Sequence, residues 1–72
     1  MTDLKVIRKS IRLSLTLLAY KAGVSRFRLW ASERGDVSLT EEEKARIRRV
    51  LRAEAERLEG VFSALDLAEA AA

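Results

Sequence analysis

Apolar residues recur along the chain at helical spacing. Leu4, Ile7 and Ile11 share one face, so residues 3–12 are expected to form a first amphipathic helix. Ser14 is placed to cap a second helix that carries Leu15, Leu18, Ala19 and Ala22 on one side, and Gly23 supplies its left-handed stop. Ser25 opens a third helix that runs through Leu29 to about Arg34 and ends at Gly35. Thr40-Glu41-Glu42-Glu43 reads as a capping box, with three carboxylates at the positive end of a fourth helix. From there Ile47, Leu51, Ala55, Leu58, Phe62 and Leu65 follow in steps of four and three, close to heptad spacing. Gly60 marks an expected break or bend in that stripe, and Ala70-Ala71-Ala72 an expected frayed end.

Size and composition then limit what these helices can do. Seventy-two residues make one small domain whose stability is a few kcal/mol. With no cysteine and no histidine, disulfides, thiolate metal sites and the usual general base are missing. The Glu41–Glu43 cluster is explained by capping, and Ser14 and Ser25 by the same role, so no enzyme, cofactor or metal is expected. The apolar runs are too short to span a membrane, and Arg8, Lys9 and Arg12 interrupt any leader-like segment, so a cytoplasmic, nucleoid-associated protein is expected.

Charge is unevenly divided. Residues 1–35 carry eight basic and two acidic side chains, a net +6, whereas residues 36–72 carry a net −3. A basic half points to a polyanionic partner, although arginine-rich helix faces also serve simply as solvated surface.

The segment Leu13-Ser14-x-x-x-Leu18-Ala19-x-x-Ala22-Gly23-Val24-Ser25-x-x-x-Leu29-x-x-x-Glu33-Arg34-Gly35 resembles the helix-turn-helix of the Cro/phage-repressor (Xre-type) family. Arg8 and Glu33 fall where that family pairs an arginine of its first helix with a glutamate of its third, so a structural ion pair is implied. The likeness covers Arg8 to Gly35. It implies an all-α, lambda-repressor-like domain of four to five helices with an extended C-terminal helix. The helix-turn-helix domain would span residues 1–59, with the turn at 22–25 and the recognition helix at 25–34. Residues 60–72 would form a dimerising extension.

The function implied is sequence-specific binding of double-stranded DNA by a transcriptional regulator, a repressor acting as a homodimer on a palindromic operator. The third helix would enter the major groove, with recognition helices one DNA turn, ~34 Å, apart. Arg26 is the first candidate for reading guanine, and Arg28 either reads a base or grips phosphate. Phe27 either meets a thymine methyl or packs on the second helix. Ser25, Arg34, Lys21 and Arg12 are candidates for the DNA backbone. Trp30 and Ala31 lie one turn on. For Trp30, packing into the volume left by Ser32 is the favoured role over DNA contact. Leu51, Leu58, Phe62 and Leu65 are the expected dimer contacts, against an intramolecular hairpin in which the segment after Gly60 folds back.

Departures from the family pattern are Leu15 and Leu17 where polar or charged residues are common, and Asp36 and Glu41 where basic groups often touch DNA. Two other roles remain open: an excisionase-like or architectural DNA-binding factor, and a protein-binding antitoxin or anti-activator module using Leu15, Leu17 and Trp30.

Overall fold

The computed structural model describes residues 4–71, and these form four α-helices with no strand among them. They are α1 (Leu4–Ser10), α2 (Leu15–Ala22), α3 (Arg26–Glu33) and α4 (Glu41–Ala71). Asp3, where the first helix was expected to begin, and Ala72, at the expected frayed end, lie outside the described residues.

The three short helices end in the same way. Leu13 N–H reaches Arg8 O at 3.1 Å, Val24 N–H reaches Ala19 O at 3.0 Å and Asp36 N–H reaches Ala31 O at 2.9 Å. Each is the six-to-one bond of a Schellman stop, which requires a left-handed residue just before it. Gly23 (φ 67°) and Gly35 (φ 86°) supply that conformation without strain, whereas after α1 it falls on Arg12 (φ 56°). This left-handed arginine closes α1 at Ser10, two residues short of the sequence expectation.

Helix starts follow their caps. Ser14 Oγ accepts from Leu17 N–H at 3.1 Å, and Ser25 Oγ accepts from Arg28 N–H at 3.4 Å. At α4 the capping box is reciprocal: Thr40 Oγ1 accepts from Glu43 N–H at 3.1 Å while Glu43 Oε1 accepts from Thr40 N–H at 2.8 Å.

Packing places α2 centrally, against both α3 and α4, with α1 on α4. The core is Leu13, Leu18, Ala19, Ala22, Val24, Leu29, Leu39, Ile47 and Leu51, edged by Leu4, Ile7, Ile11, Leu15 and Val50. Leu51, expected at a dimer interface, is only 3% exposed and belongs to this core, because α2 covers that turn of α4. Two buried-side ion contacts brace the unit. Arg8 donates from Nε and Nη2 to both Glu33 oxygens at 2.7 Å, and from Nη1 to Leu13 O at 2.8 Å. Glu54, 8% exposed, accepts from Lys21 Nζ and from Arg57 Nε, joining α2 to α4.

α4 passes Gly60 without a break, contrary to the expected interruption. A helical glycine costs only ~1 kcal/mol, and its neighbours Leu58, Glu59, Val61 and Phe62 include no helix breaker. The hairpin alternative is therefore absent: the segment after Gly60 continues outward instead of folding back. A helix of this length runs ~46 Å, which accounts for molecular extents of 50 × 20 × 18 Å.

Candidate nucleic-acid interface

The link Gly23-Val24-Ser25 is short and fully used. Gly23 turns the chain, Val24 is buried beneath the turn, and Ser25 starts α3. With Leu29 pinned at 2% exposure, helical geometry turns Phe27 to the opposite side and Trp30 to the flank, and Arg26 is exposed as the first residue of α3.

That side is basic and aromatic together. The Arg26 guanidinium lies 5.4 Å from the Phe27 ring centroid and the Arg34 guanidinium 4.8 Å from that of Trp30, both within cation–π range. Leu15 and Thr16 from the start of α2 join Arg26, Phe27 and Trp30 around a shallow groove of about 360 Å³. Phe27 is 72% exposed and Trp30 51% exposed. The favoured packing role for Trp30 is thus corrected: half of Trp30 faces solvent, and Ser32 is half-buried without Trp30 in the core. Phe27 likewise does not pack into the α2–α3 core. Ala31 is half-buried at the edge of α3.

The remaining candidates are held elsewhere to different degrees. Arg28 donates from Nε and Nη2 to both oxygens of Glu43, at 2.8 and 2.7 Å, tying α3 to the start of α4. Those bonds, followed by the one from Thr40 N–H, lower the Glu43 carboxyl from 4.5 to about 2, and Glu43 in turn raises the Arg28 pKa. Arg28 therefore faces a carboxylate that stays ionised at neutral pH, and a bidentate grip on a base through Nε and Nη2 would require leaving it, whereas Nη1 is not used in that pair. Lys21 is committed to Glu54, whose carboxyl is lowered chiefly by Lys21 and then by Arg57. Arg34 contacts Asp36 at 3.3 Å as well as Trp30. Ser25 spends a lone pair on its cap, leaving its hydroxyl proton free to donate. Arg12 lines a different groove, between the α1–α2 turn and the outer half of α4.

No protein-family model, curated protein or solved structure matches this chain.

That surface combines one well-exposed arginine at the start of a short helix, two aromatic rings and a capping hydroxyl. Such a set can donate to acceptor atoms while covering apolar ones. Of the three carboxylates that open α4, Glu43 meets α3 through Arg28, while Glu41 and Glu42 pair with Lys44 and Arg46 on α4 itself. The Glu43 and Glu54 partnerships were missed from the sequence. Lys and Glu thirty-three positions apart, or Arg and Glu fifteen apart, leave no periodic signal. Among the described residues, no cluster of metal-ligating side chains occurs and no helix is long and apolar enough to cross a membrane.

Proposed function

We propose that the chain is a sequence-specific double-stranded DNA-binding regulator of the helix-turn-helix, lambda-repressor-like type. It occupies an operator as a homodimer in the cytoplasm, represses by occupancy, and carries out no catalysis. The observation that carries this reading is the outward face of α3, where Arg26, Phe27 and Trp30 stand clear of the core behind a capped, rigidly turned helix start.

Arg26 fits best as the base reader, because a guanidinium presents two parallel donors to guanine O6 and N7. Phe27 offers an apolar edge for a thymine methyl. Ser25 and Arg34 suit phosphate, since one has a free hydroxyl proton and the other is more than half exposed at the far end of α3. Arg28 and Lys21 serve first as braces within the domain. The Arg8–Glu33 pair fixes α3 against α1, so the reading helix is presented without rearrangement.

A binding selection on random duplexes tests the reading. It should return a defined half-site, and Arg26→Ala should relax one base position, a loss of ~1–3 kcal/mol of discrimination. Equal binding to all duplexes contradicts it.

The exposed Leu17, Phe27 and Trp30 favour a second reading, a protein-binding module. Salt separates the two. A duplex reader making 6–10 phosphate contacts loses ~10³-fold or more in affinity between 50 and 200 mM salt, and an apolar protein contact does not.

A further inference from the structure

The negative half of the chain carries a positive strip. α4 holds six basic side chains, and they divide into two sets. Lys44, Arg46 and Arg57 each contact a carboxylate of their own helix, on Glu41, Glu42 and Glu54 respectively. Arg48, Arg49 and Arg52 are exposed, and among the described residues they form no ion pair.

Their spacing is unfavourable for the free helix. Arg48 and Arg52 are four residues apart and Arg49 and Arg52 three, so like charges face each other across successive turns. Glu56 stands one turn beyond Arg52 without pairing with it, and together with Glu41 and Glu59 it bounds the strip at its two ends.

The direction of the strip follows from the helix. Glu43 and Glu54, which receive Arg28 of α3 and Lys21 of α2, are eleven residues apart and so lie on one side of α4. At ~100° per residue, Arg48, Arg49 and Arg52 each stand ~120–180° around the axis from both glutamates. The strip thus points away from α2 and α3. Phe27 on α3 and the strip on α4 look outward from the shared core on two different sides of a molecule 20 × 18 Å across.

Side-chain chemistry narrows the partner. All three residues are arginine, whose rigid fork of donors fits phosphate oxygens in pairs. Beside them the helix offers Ala45 and Ala53, with no aromatic or large aliphatic side chain to centre a protein interface or enter a lipid surface. Arg48 and Arg52 span ~6 Å of helix axis. One strand of a duplex presents a phosphate every ~3.4 Å along its own axis, so each guanidinium can meet one.

We infer that Arg48, Arg49 and Arg52 form a second, sequence-independent nucleic-acid contact, gripping the phosphate backbone of a duplex segment other than the one that faces α3. The phosphate contact stands on the geometry of α4 alone. The linking of two segments, one read and one merely held, rests on the DNA-binding reading of α3.

The variant Arg48→Gln/Arg49→Gln/Arg52→Gln keeps good helix formers at exposed positions, so circular dichroism should be unchanged. Titrated with a scrambled duplex, the wild-type chain should show a slope of log affinity against log salt steeper than the variant's by ~2.7, or ~0.9 for each phosphate. That is ~40-fold more affinity lost between 50 and 200 mM salt. A control, Lys44→Gln/Arg46→Gln/Arg57→Gln, removes the same charge from paired positions on α4 and should keep the wild-type slope. A selected duplex fixed to a surface should recruit a labelled scrambled duplex through the wild-type chain and not through the strip variant.

Equal slopes for the wild type and the strip variant overturn the proposal. An equal fall in both triple variants also overturns it, because the effect is then net charge. If the slope falls in the strip variant alone but no duplex is preferred, the strip stands and the reading of α3 fails. If a duplex is preferred and the slope holds, the reading stands and the strip fails.

Discussion

The two halves of α4 carry the same kind of pattern and meet different fates. In the inner half, Ile47 and Leu51 sit at helical spacing and are 0% and 3% exposed; in the outer half, Phe62 and Leu65 continue the spacing at 60% and 52%. The difference is what lies opposite: α1 and α2 in one case, solvent in the other. A stripe in a sequence therefore states that a face is suited to burial, and the rest of the chain decides whether the partner is internal. In this small protein the inner half carries the core, and the outer half stays exposed to solvent.

The strongest way to break that contrast is to cut matching residues from each half. Ile47→Ala should cost ~3 kcal/mol, a large part of the stability of a domain this size, and show as a collapsed chemical-denaturation midpoint. Leu65→Ala should leave the dilute protein's midpoint nearly unchanged. Comparable losses would mean that the outer half is also covered within the monomer.

Next in size is the brace inside the inner half. Arg8→Ala strands the Glu33 carboxylate, 11% exposed in its side chain, and should cost ~2–3 kcal/mol in the same assay. A loss below 0.5 kcal/mol, typical of a surface pair at ~0–1 kcal/mol, would remove its structural role.

Acid probes the α3–α4 junction. The Glu43 carboxyl is lowered from 4.5 to about 2, so its stabilising contribution is complete above pH 4.5 and is lost as the pH falls toward 2. Thermal midpoints should drop across that window, and Glu43→Gln should flatten the drop. The lowered Glu54 carboxyl contributes with the same sign, so some slope should persist in the variant.

How far these features could be read beforehand depended on the range of each signal. Caps and stops are local, so Ser14, Ser25, Thr40, Gly23 and Gly35 mark the helix ends closely. The stop after Ser10 was hidden because an arginine holds the left-handed turn usually given to glycine. Gly60 misled in the opposite sense, since one glycine with no tertiary reason to turn leaves a helix intact. Among the site residues, Arg26 is exposed because it opens α3 directly after the Ser25 cap, a position legible from the cap itself. The capture of Arg28 by Glu43 and of Lys21 by Glu54 depends on how α4 lies across α2 and α3, which no spacing records. Trp30 was misjudged because its place one residue past the buried Leu29 turns it off the core face, leaving it 51% exposed.

Two small effects sharpen the contrast further. A Cβ at Gly60 meets nothing within 4 Å, so Gly60→Ala should raise helical circular dichroism and stabilise outer α4 by up to ~1 kcal/mol. Arg12→Gly should relieve the left-handed strain at the α1 stop, a net gain of ~0.5 kcal/mol in unfolding free energy.

The central claim concerns the outward face of α3, and titration of one selected duplex against a scrambled duplex of equal length tests it most directly. The wild-type chain should bind the selected duplex at least tenfold more tightly, a difference of ~1.4 kcal/mol, and Arg26→Ala should erase most of that margin while keeping its fold. Indistinguishable affinities for the two duplexes in the wild-type protein would contradict the account.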